Sequence, residues 1–190
     1  MAHFHYQNHL NRVSRSFAFC IERLEGDFRE WVGLSYLLCR ILDTVEDAPW
    51  PSRQDREQAF ARFEDFLEKG VSLEEAHAWA STFPPVPEGE RLLLEDSARI
   101  FSDLQALPAG VREKIRRPVM NMLRGMRHFS SLLAANSSPG SAIRLRTLAE
   151  VNQYCFFVAG LVGDLLTELV AERWPSFRIT PRTIVDAHHF

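Results

Sequence analysis

Three carboxylates are clustered in the segment DTVED, at the end of one of the most apolar stretches of the chain. Asp43 lies three residues before Glu46 and four before Asp47, so a helix would place all three on one face. Near the C-terminal end of a helix, such like charges repel one another and are also disfavoured by the helix dipole. A divalent cation would relieve both effects, and carboxylate oxygens are ligands that suit Mg²⁺. The stripe therefore predicts a Mg²⁺ site that could bridge to substrate phosphates.

Arg40 and Tyr36 continue the same helix face toward the N-terminus. The alternative interpretation of the carboxylates is a solvated helix end, where acidic side chains are common. For Arg40 the alternative is an ordinary i, i+3 ion pair with Asp43. Spacing alone leaves these alternatives open.

A second pattern lies near the C-terminus, where Tyr154, Val158, Val162 and Leu166 recur every four residues. On a helix this spacing places a phenol at one end of an apolar row. The alternative is a plain stripe of core side chains, which the same spacing also predicts.

The elements that must position these residues are all predicted to be helices. Helical patterns cover residues 28–47, 53–69, 88–104, 109–135 and 148–173, and strand-like alternation is absent. The helices over 28–47 and 148–173 are apolar nearly all round, which is typical of central helices in a bundle. The sequence therefore predicts an all-α protein with residues 1–190 in a single domain.

Composition excludes several classes of function. With 190 residues, 46% hydrophobic content and a net charge of -3, the chain can bury one sizeable core and shows no nucleic-acid footprint. The three cysteines form no CxxC pair, which predicts reduced thiols in a cytoplasmic protein. No signal-peptide pattern is visible, and the longest apolar run, around residues 155–162, predicts no membrane span. Peripheral contact with a membrane is left open.

Three separated motifs, in order along the chain, resemble the squalene/phytoene synthase family. They are VSRSFAFCI, DTVED after an apolar helix ending in LCR, and YCFFVAGLVG. The aspartate-rich motif looks closer to that of squalene synthases than to that of phytoene synthases. The resemblance implies an all-α isoprenoid synthase helical bundle. It also implies head-to-head joining of two prenyl diphosphates, with Mg²⁺ held by two acidic motifs on facing helices.

The resemblance assigns roles to individual residues. It implies that Asp43, Glu46 and Asp47 bind the metal, with Asp43 and Asp47 also counted as catalytic, and that Tyr154 is a catalytic residue for proton transfer. Substrate-binding residues are then expected in the early SRSF segment, on the aspartate-bearing helix and along the apolar row: Ser14, Arg15, Phe17, Tyr36, Arg40, Val158, Val162 and Leu166.

The reaction implied by the resemblance condenses two farnesyl diphosphates to presqualene diphosphate and then to squalene. The second, reductive step needs NADPH, and Arg15 and Arg40 are expected to help hold its phosphates. One alternative is a phytoene or dehydrosqualene synthase that needs no reductant, which product analysis with and without NADPH would distinguish. The other is a non-catalytic subunit that binds a prenyl lipid or a partner, which would bind prenyl diphosphate without turnover.

The sequence departs from the family pattern at its C-terminal end. A helix is predicted to begin at Thr180 and Pro181, in ITPRTIVDAHHF, and the second acidic motif does not follow before Phe190. This departure predicts a chain truncated before that motif, which would be inactive and only marginally stable by itself.

Overall fold

The computed structural model of the chain describes residues 6–135, 145, 147–176, 178, 180 and 182. These residues contain helices and no strand, which confirms the predicted all-α class. The helix predicted after Thr180 lies almost entirely outside the described residues. The chain forms two compact units, Met1–Arg116 and Arg117–Phe190. The expectation of a single domain stays a prediction.

Ten α-helices and one π-helical turn follow one another in the described part of the chain. They are α1 (Gln7–Val13), α2 (Arg15–Glu22), α3 (Gly26–Asp47), α4 (Arg53–Lys69), α5 (Leu73–Ala80), α6 (Glu88–Glu95), α7 (Ser97–Ala106), α8 (Ala109–Ala135), α9 (Leu148–Cys155), the π turn (Phe156–Gly160) and α10 (Leu161–Arg173). Helix α8 begins in the first unit and ends in the second.

Helix α3 is the central element of the first unit, as its all-round apolar sequence predicts. It contacts α1, α2, α4, α6 and α7. Its inner side is fully buried in the C-terminal half of the helix, at Leu37, Leu38, Ile41, Leu42 and Val45. Because burial of each such side chain contributes roughly 1.5–3 kcal/mol, this side fixes the rotation of α3 about its axis. The carboxylate stripe is thereby turned to the edge of the core.

Local sequence signals set the ends of several helices. Ser52 caps α4 by accepting a hydrogen bond from the backbone N–H of Asp55 at 3.1 Å. The same helix ends at Gly70, whose φ of 76° suits glycine. The residues between these two signals form a helix with the bounds predicted from the sequence.

The predicted helix over residues 88–104 is wrong in one respect, because the structure divides it into α6 and α7 at Asp96. The Asp96 carboxylate lies 2.9 Å from Nε2 of His9, on α1. This tertiary contact, which the local pattern does not contain, coincides with the bend that lets α6 contact α1 and α7 contact α3.

The helical segment Leu148–Arg173 differs more from its prediction. Only 22% of its most apolar window is buried, so it is not enclosed by the described residues as a central helix would be. With a mean hydropathy of 1.6 in that window, it is long and apolar enough to cross a membrane. The prediction that no segment meets that condition is therefore wrong. The criterion is one of length and composition, which core helices of water-soluble bundles also meet.

Candidate active site

The predicted stripe of α3 lies at the boundary between core and solvent. Tyr36, Arg40 and Asp43 are partly exposed, and Asp47 is exposed at the end of the helix. Their neighbours one position further on, such as Leu37 and Ile41, are fully buried. The structure therefore places a polar row along the rim of an apolar core, which is a suitable place to bind a charged group.

Asp43 has an unusual electrostatic environment. Burial raises its pKa to about 6, the positive charge of Arg40 opposes that shift, and the negative charges of Asp47 and Glu90 add to it. Among the described residues, no ion pair or hydrogen bond to the Asp43 carboxylate is present. A carboxylate that is partly desolvated and unpaired is one that a cation would stabilise.

Arg40 does not pair with Asp43, although the sequence allowed that pairing. Its Nη2 instead forms an ion pair with Oε1 of Glu90, on α6. The Glu90 side chain is 14% exposed and that of Arg40 is 30% exposed, so the pair is partly withdrawn from solvent. Sequence reasoning missed Glu90, and no local signal could have revealed a contact between residues so far apart in the chain.

A close approach between α6 and α1 fixes the position of Glu90. A Cβ atom added at Gly89 would lie 2.9 Å from the backbone oxygen of Arg12 and 3.0 Å from its Cβ. Since only glycine permits this distance without movement of the backbone, α6 begins directly against the end of α1. The next residue along α6 is Glu90, which reaches Arg40.

The early SRSF segment meets the same face of α3 through an aromatic contact. Ser14 caps α2 by accepting a hydrogen bond from the N–H of Phe17 at 3.5 Å, and Arg15 is exposed in the first turn. Phe17 is 57% exposed, and its ring lies 5.1 Å from that of Tyr36 between centroids. The structure thus brings Phe17 and Tyr36 together, one helical turn from Arg40.

The donor type of the stripe fits a hard cation, because Asp43 and Asp47 offer carboxylate oxygens one turn apart and Asp43 is unpaired among the described residues. Within residues 6–135 and 147–176, no group of three or more His, Cys, Asp or Glu side chains is already gathered for a metal. The three-residue set of Asp43, Glu46 and Asp47 therefore stays a prediction.

The second unit contains Tyr154. Its ring packs edge-on against Phe129 of α8, with centroids 5.4 Å apart. Glycine at position 125 of α8 lets the side chain of Phe157 lie directly on the helix backbone. Arg117, the first residue of the second unit and part of α8, forms an ion pair with Glu168 of α10. These contacts show that the two helical segments run antiparallel.

The spacing predicted that the apolar residues after Tyr154 form one straight α-helical row. The structure describes residues 154–166 and does not contain such a row there. The π turn Phe156–Gly160 intervenes, and its wider hydrogen-bond spacing changes the phase between the residues before and after it. The buried side of α10 consists of Leu161, Leu165 and Leu169. Val158 and Val162 are partly exposed and Leu166 is 37% exposed. The apolar row of Val158, Val162 and Leu166 therefore lies beside the buried leucines of α10 and is distinct from them.

The all-helical arrangement, with a carboxylate-bearing central helix in the first unit, is that of the isoprenoid synthase class. The solved complex of TcSQS with the ligand E5700 superposes with a TM-score of 0.72, at 27% sequence identity, over 96% of this chain and 48% of that one. The complex of TcSQS with BPH1237 gives a TM-score of 0.73 at 26% identity. These matches confirm the predicted isoprenoid synthase fold.

The chain belongs to the squalene/phytoene synthase family, whose model matches residues 10–189. Among curated relatives, it is 33% identical to the squalene synthase of Schizosaccharomyces pombe over 86% of its own length and 33% of that protein. It is 31% identical to the squalene synthase of Mycosarcoma maydis, covering 26% of that protein, and 32% identical to that of Saccharomyces cerevisiae, covering 34%. The chain thus spans about a quarter to a third of the length of these relatives.

Proposed function

We propose that the chain is a squalene-synthase-like prenyltransferase whose α3 stripe binds the diphosphate of farnesyl diphosphate through Mg²⁺. The observation that carries the proposal is the partly buried Asp43 carboxylate, unpaired among the described residues and followed one turn later by Asp47. Asp43, Glu46 and Asp47 are the residues that would hold the ion. Bound Mg²⁺ would neutralise the charge that develops on the diphosphate as it leaves the prenyl group.

Arg40 supplies a second element for diphosphate recognition. Its Nε is buried and finds no hydrogen-bond partner among the described residues, while Nη2 is held by Glu90. A buried donor without an acceptor is costly, and a phosphate oxygen is a strong acceptor for a guanidinium. Arg40 is therefore proposed to donate a hydrogen bond to the diphosphate. The exposed Arg15, in the motif VSRSFAFCI, is proposed as a further phosphate contact.

The prenyl chain needs an apolar surface beside the diphosphate, because ionisation leaves an allylic cation that water would quench. Phe17 of α2 and Tyr36 of α3 form a tilted aromatic pair with ring planes 33° apart, and they are proposed to contact the prenyl group. Val158, Val162 and Leu166, all in the second unit, are proposed as prenyl-contacting residues because their apolar side chains are partly exposed. Ser14 orders the start of α2 and so holds both Arg15 and Phe17 in the first turn of that helix.

The proposal is tested by binding before turnover. We expect farnesyl diphosphate to bind only in the presence of Mg²⁺, and Asp43→Asn or Asp47→Asn to weaken that binding by about tenfold or more through loss of ligand charge. Isothermal titration calorimetry measures the affinity. Asp27→Asn, at the opposite end of α3 in its first turn, is the matched control and should bind as the unsubstituted chain does. Metal-independent binding, or unchanged affinity in both stripe variants, would refute the proposal.

Tyr154 is proposed to transfer a proton during the condensation. Its phenol is on a partly exposed residue next to the π turn, a type of distortion that is frequent at functional sites. In an assay with farnesyl diphosphate, Mg²⁺ and NADPH that detects turnover by the unsubstituted chain, Tyr154→Phe should lower the rate by about 10²-fold or more. Helicity and melting temperature should stay the same, because the ring that packs on Phe129 is retained. A normal rate would make the hydroxyl structural.

NADPH is proposed as the reductant of the second step, with Arg15 and Arg40 as its phosphate contacts. Product analysis with and without NADPH tests this part separately. Squalene that forms only with the reductant supports it, whereas an unreduced hydrocarbon formed in both conditions favours the phytoene or dehydrosqualene alternative within the same family.

A further inference from the structure

The ion pair made by Arg40 is not the one that its own helix offers. Arg40 and Asp43 are three residues apart on α3, a spacing at which side chains of opposite charge are neighbours. Arg40 nevertheless forms its ion pair with Glu90, fifty residues further along the chain on α6. The Asp43 carboxylate is left without an ion pair among the described residues. Whether Arg40 pairs with Glu90 or with Asp43 therefore determines whether the Asp43 carboxylate is available to another cation.

The position of Glu90 favours the long-range pair. Its side chain is 14% exposed, so leaving its carboxylate unpaired would cost more than leaving an exposed one unpaired. The contact of Gly89 with the backbone of Arg12 places the start of α6 firmly against α1. Glu90 is therefore presented by a packed helix end, and Arg40 meets a fixed partner rather than a mobile one.

We infer that Glu90 is a positioning residue that holds Arg40 away from Asp43 and so keeps the Asp43 carboxylate open for the cation. The inference rests on the proposed function of the α3 stripe. Without the negative charge at position 90, the guanidinium turns to the nearest remaining acid on its own helix, Asp43. Arg40 and Asp43 can then form a bidentate ion pair, and Mg²⁺ has to compete with Arg40 for the carboxylate.

The test is Mg²⁺ affinity of the full chain, measured by calorimetry with the metal alone and no diphosphate. Glu90→Gln keeps the size of the side chain and removes its charge, and it should weaken Mg²⁺ binding by about tenfold. Glu88→Gln is the control, because Glu88 lies two residues earlier, is 84% exposed and meets only Arg12 at 3.6 Å among the contacts described. It should leave the affinity unchanged.

A double-mutant cycle separates competition by Arg40 from a mere loss of negative charge near the metal. If Glu90 acts through Arg40, Glu90→Gln should weaken Mg²⁺ binding by about tenfold in the presence of Arg40 and by less than about twofold in an Arg40→Gln background. Charge loss alone would give the same factor in both backgrounds, and that result would overturn the inference.

The remaining outcomes also decide the matter. Equal Mg²⁺ affinity of Glu90→Gln and the unsubstituted chain overturns the inference alone, whereas no Mg²⁺ binding by the unsubstituted chain overturns both the inference and the proposed function. If Glu90→Gln does not fold, as judged by circular dichroism, Glu90→Asp replaces it. That variant keeps the charge but is one methylene shorter, and a partial loss of affinity is expected; unchanged affinity would count against the role of Glu90.

Discussion

Asp43→Asn is expected to stabilise the folded chain by about 3 kcal/mol at about pH 8 and to change its stability little at about pH 4. The reason is that burial raises the pKa of Asp43 from 3.8 to about 6 in the folded state. Below the unfolded value both states carry the proton, and the folded state bears no penalty. As the pH rises through the folded pKa, the folded chain must hold a partly buried charge, and stability is lost. Asparagine resembles the protonated form and escapes this loss.

Urea unfolding of the two chains at several pH values measures the difference. The free energies of unfolding should diverge between about pH 4 and pH 6 and then run parallel. Glu95→Gln, which removes an exposed carboxylate from the end of α6, is the control and should not diverge. A destabilised Asp43→Asn at about pH 8 would show that the carboxylate has a structural partner, and it would contradict the electrostatic description of the site.

The same substitution should act in opposite directions on stability and on binding. If the α3 stripe binds Mg²⁺, the unsubstituted chain gains stability from the metal by mass action, whereas Asp43→Asn gains little. A residue that weakens the fold and strengthens binding is typical of a functional site, where the arrangement needed for binding is not the most stable one. A merely solvated helix end gives neither effect, so the pair of measurements distinguishes the two interpretations of the carboxylates.

Much of the first unit could be predicted from the sequence because its signals are local. Helix α3 was predicted to within two residues from its apolar pattern, and α4 was predicted over residues 53–69, the range that the structure shows. The edge position of the carboxylate stripe follows from the same periodicity, since the inner side of α3 takes up the apolar residues. Local sequence therefore predicts which face of a helix is polar and where the helix ends.

The partners of that polar face could not be predicted in the same way. The pair of Arg40 with Glu90 and the bend at Asp96 opposite His9 depend on how α1, α6 and α3 pack, and neither has a periodic signal. The π turn is a similar case, because apolar residues spaced by four are compatible with an uninterrupted α-helix as well. The sequence thus predicted the candidate carboxylate ligands on α3. The structure added Glu90, the residue that forms the ion pair with Arg40.

Gly125→Ala is expected to destabilise the second unit by about 3 kcal/mol, although alanine is the better helix former by roughly 1 kcal/mol. A Cβ atom at this position would lie 2.5 Å from Cβ of Phe157 and 2.6 Å from its Cδ1. Because Cβ is the root of the Phe157 side chain, a rotamer change cannot remove the clash, and the two helical segments must separate. Phe157 lies in the π turn, and its ring and that of Tyr154 both pack on Phe129, at 6.3 and 5.4 Å.

Gly110→Ala provides the control within the same helix, since a Cβ atom there would meet nothing within 4 Å. That variant should be neutral or more stable by up to about 1 kcal/mol, as helix propensity alone predicts. Urea unfolding measures both variants, and near-ultraviolet circular dichroism reports on the aromatic packing around Tyr154. We expect Gly125→Ala to lower stability and weaken the aromatic signal together, because the same separation of helices removes Tyr154 from Phe129. Equal stability of the two alanine variants would show that the contact of Phe157 with α8 is not needed to hold Tyr154.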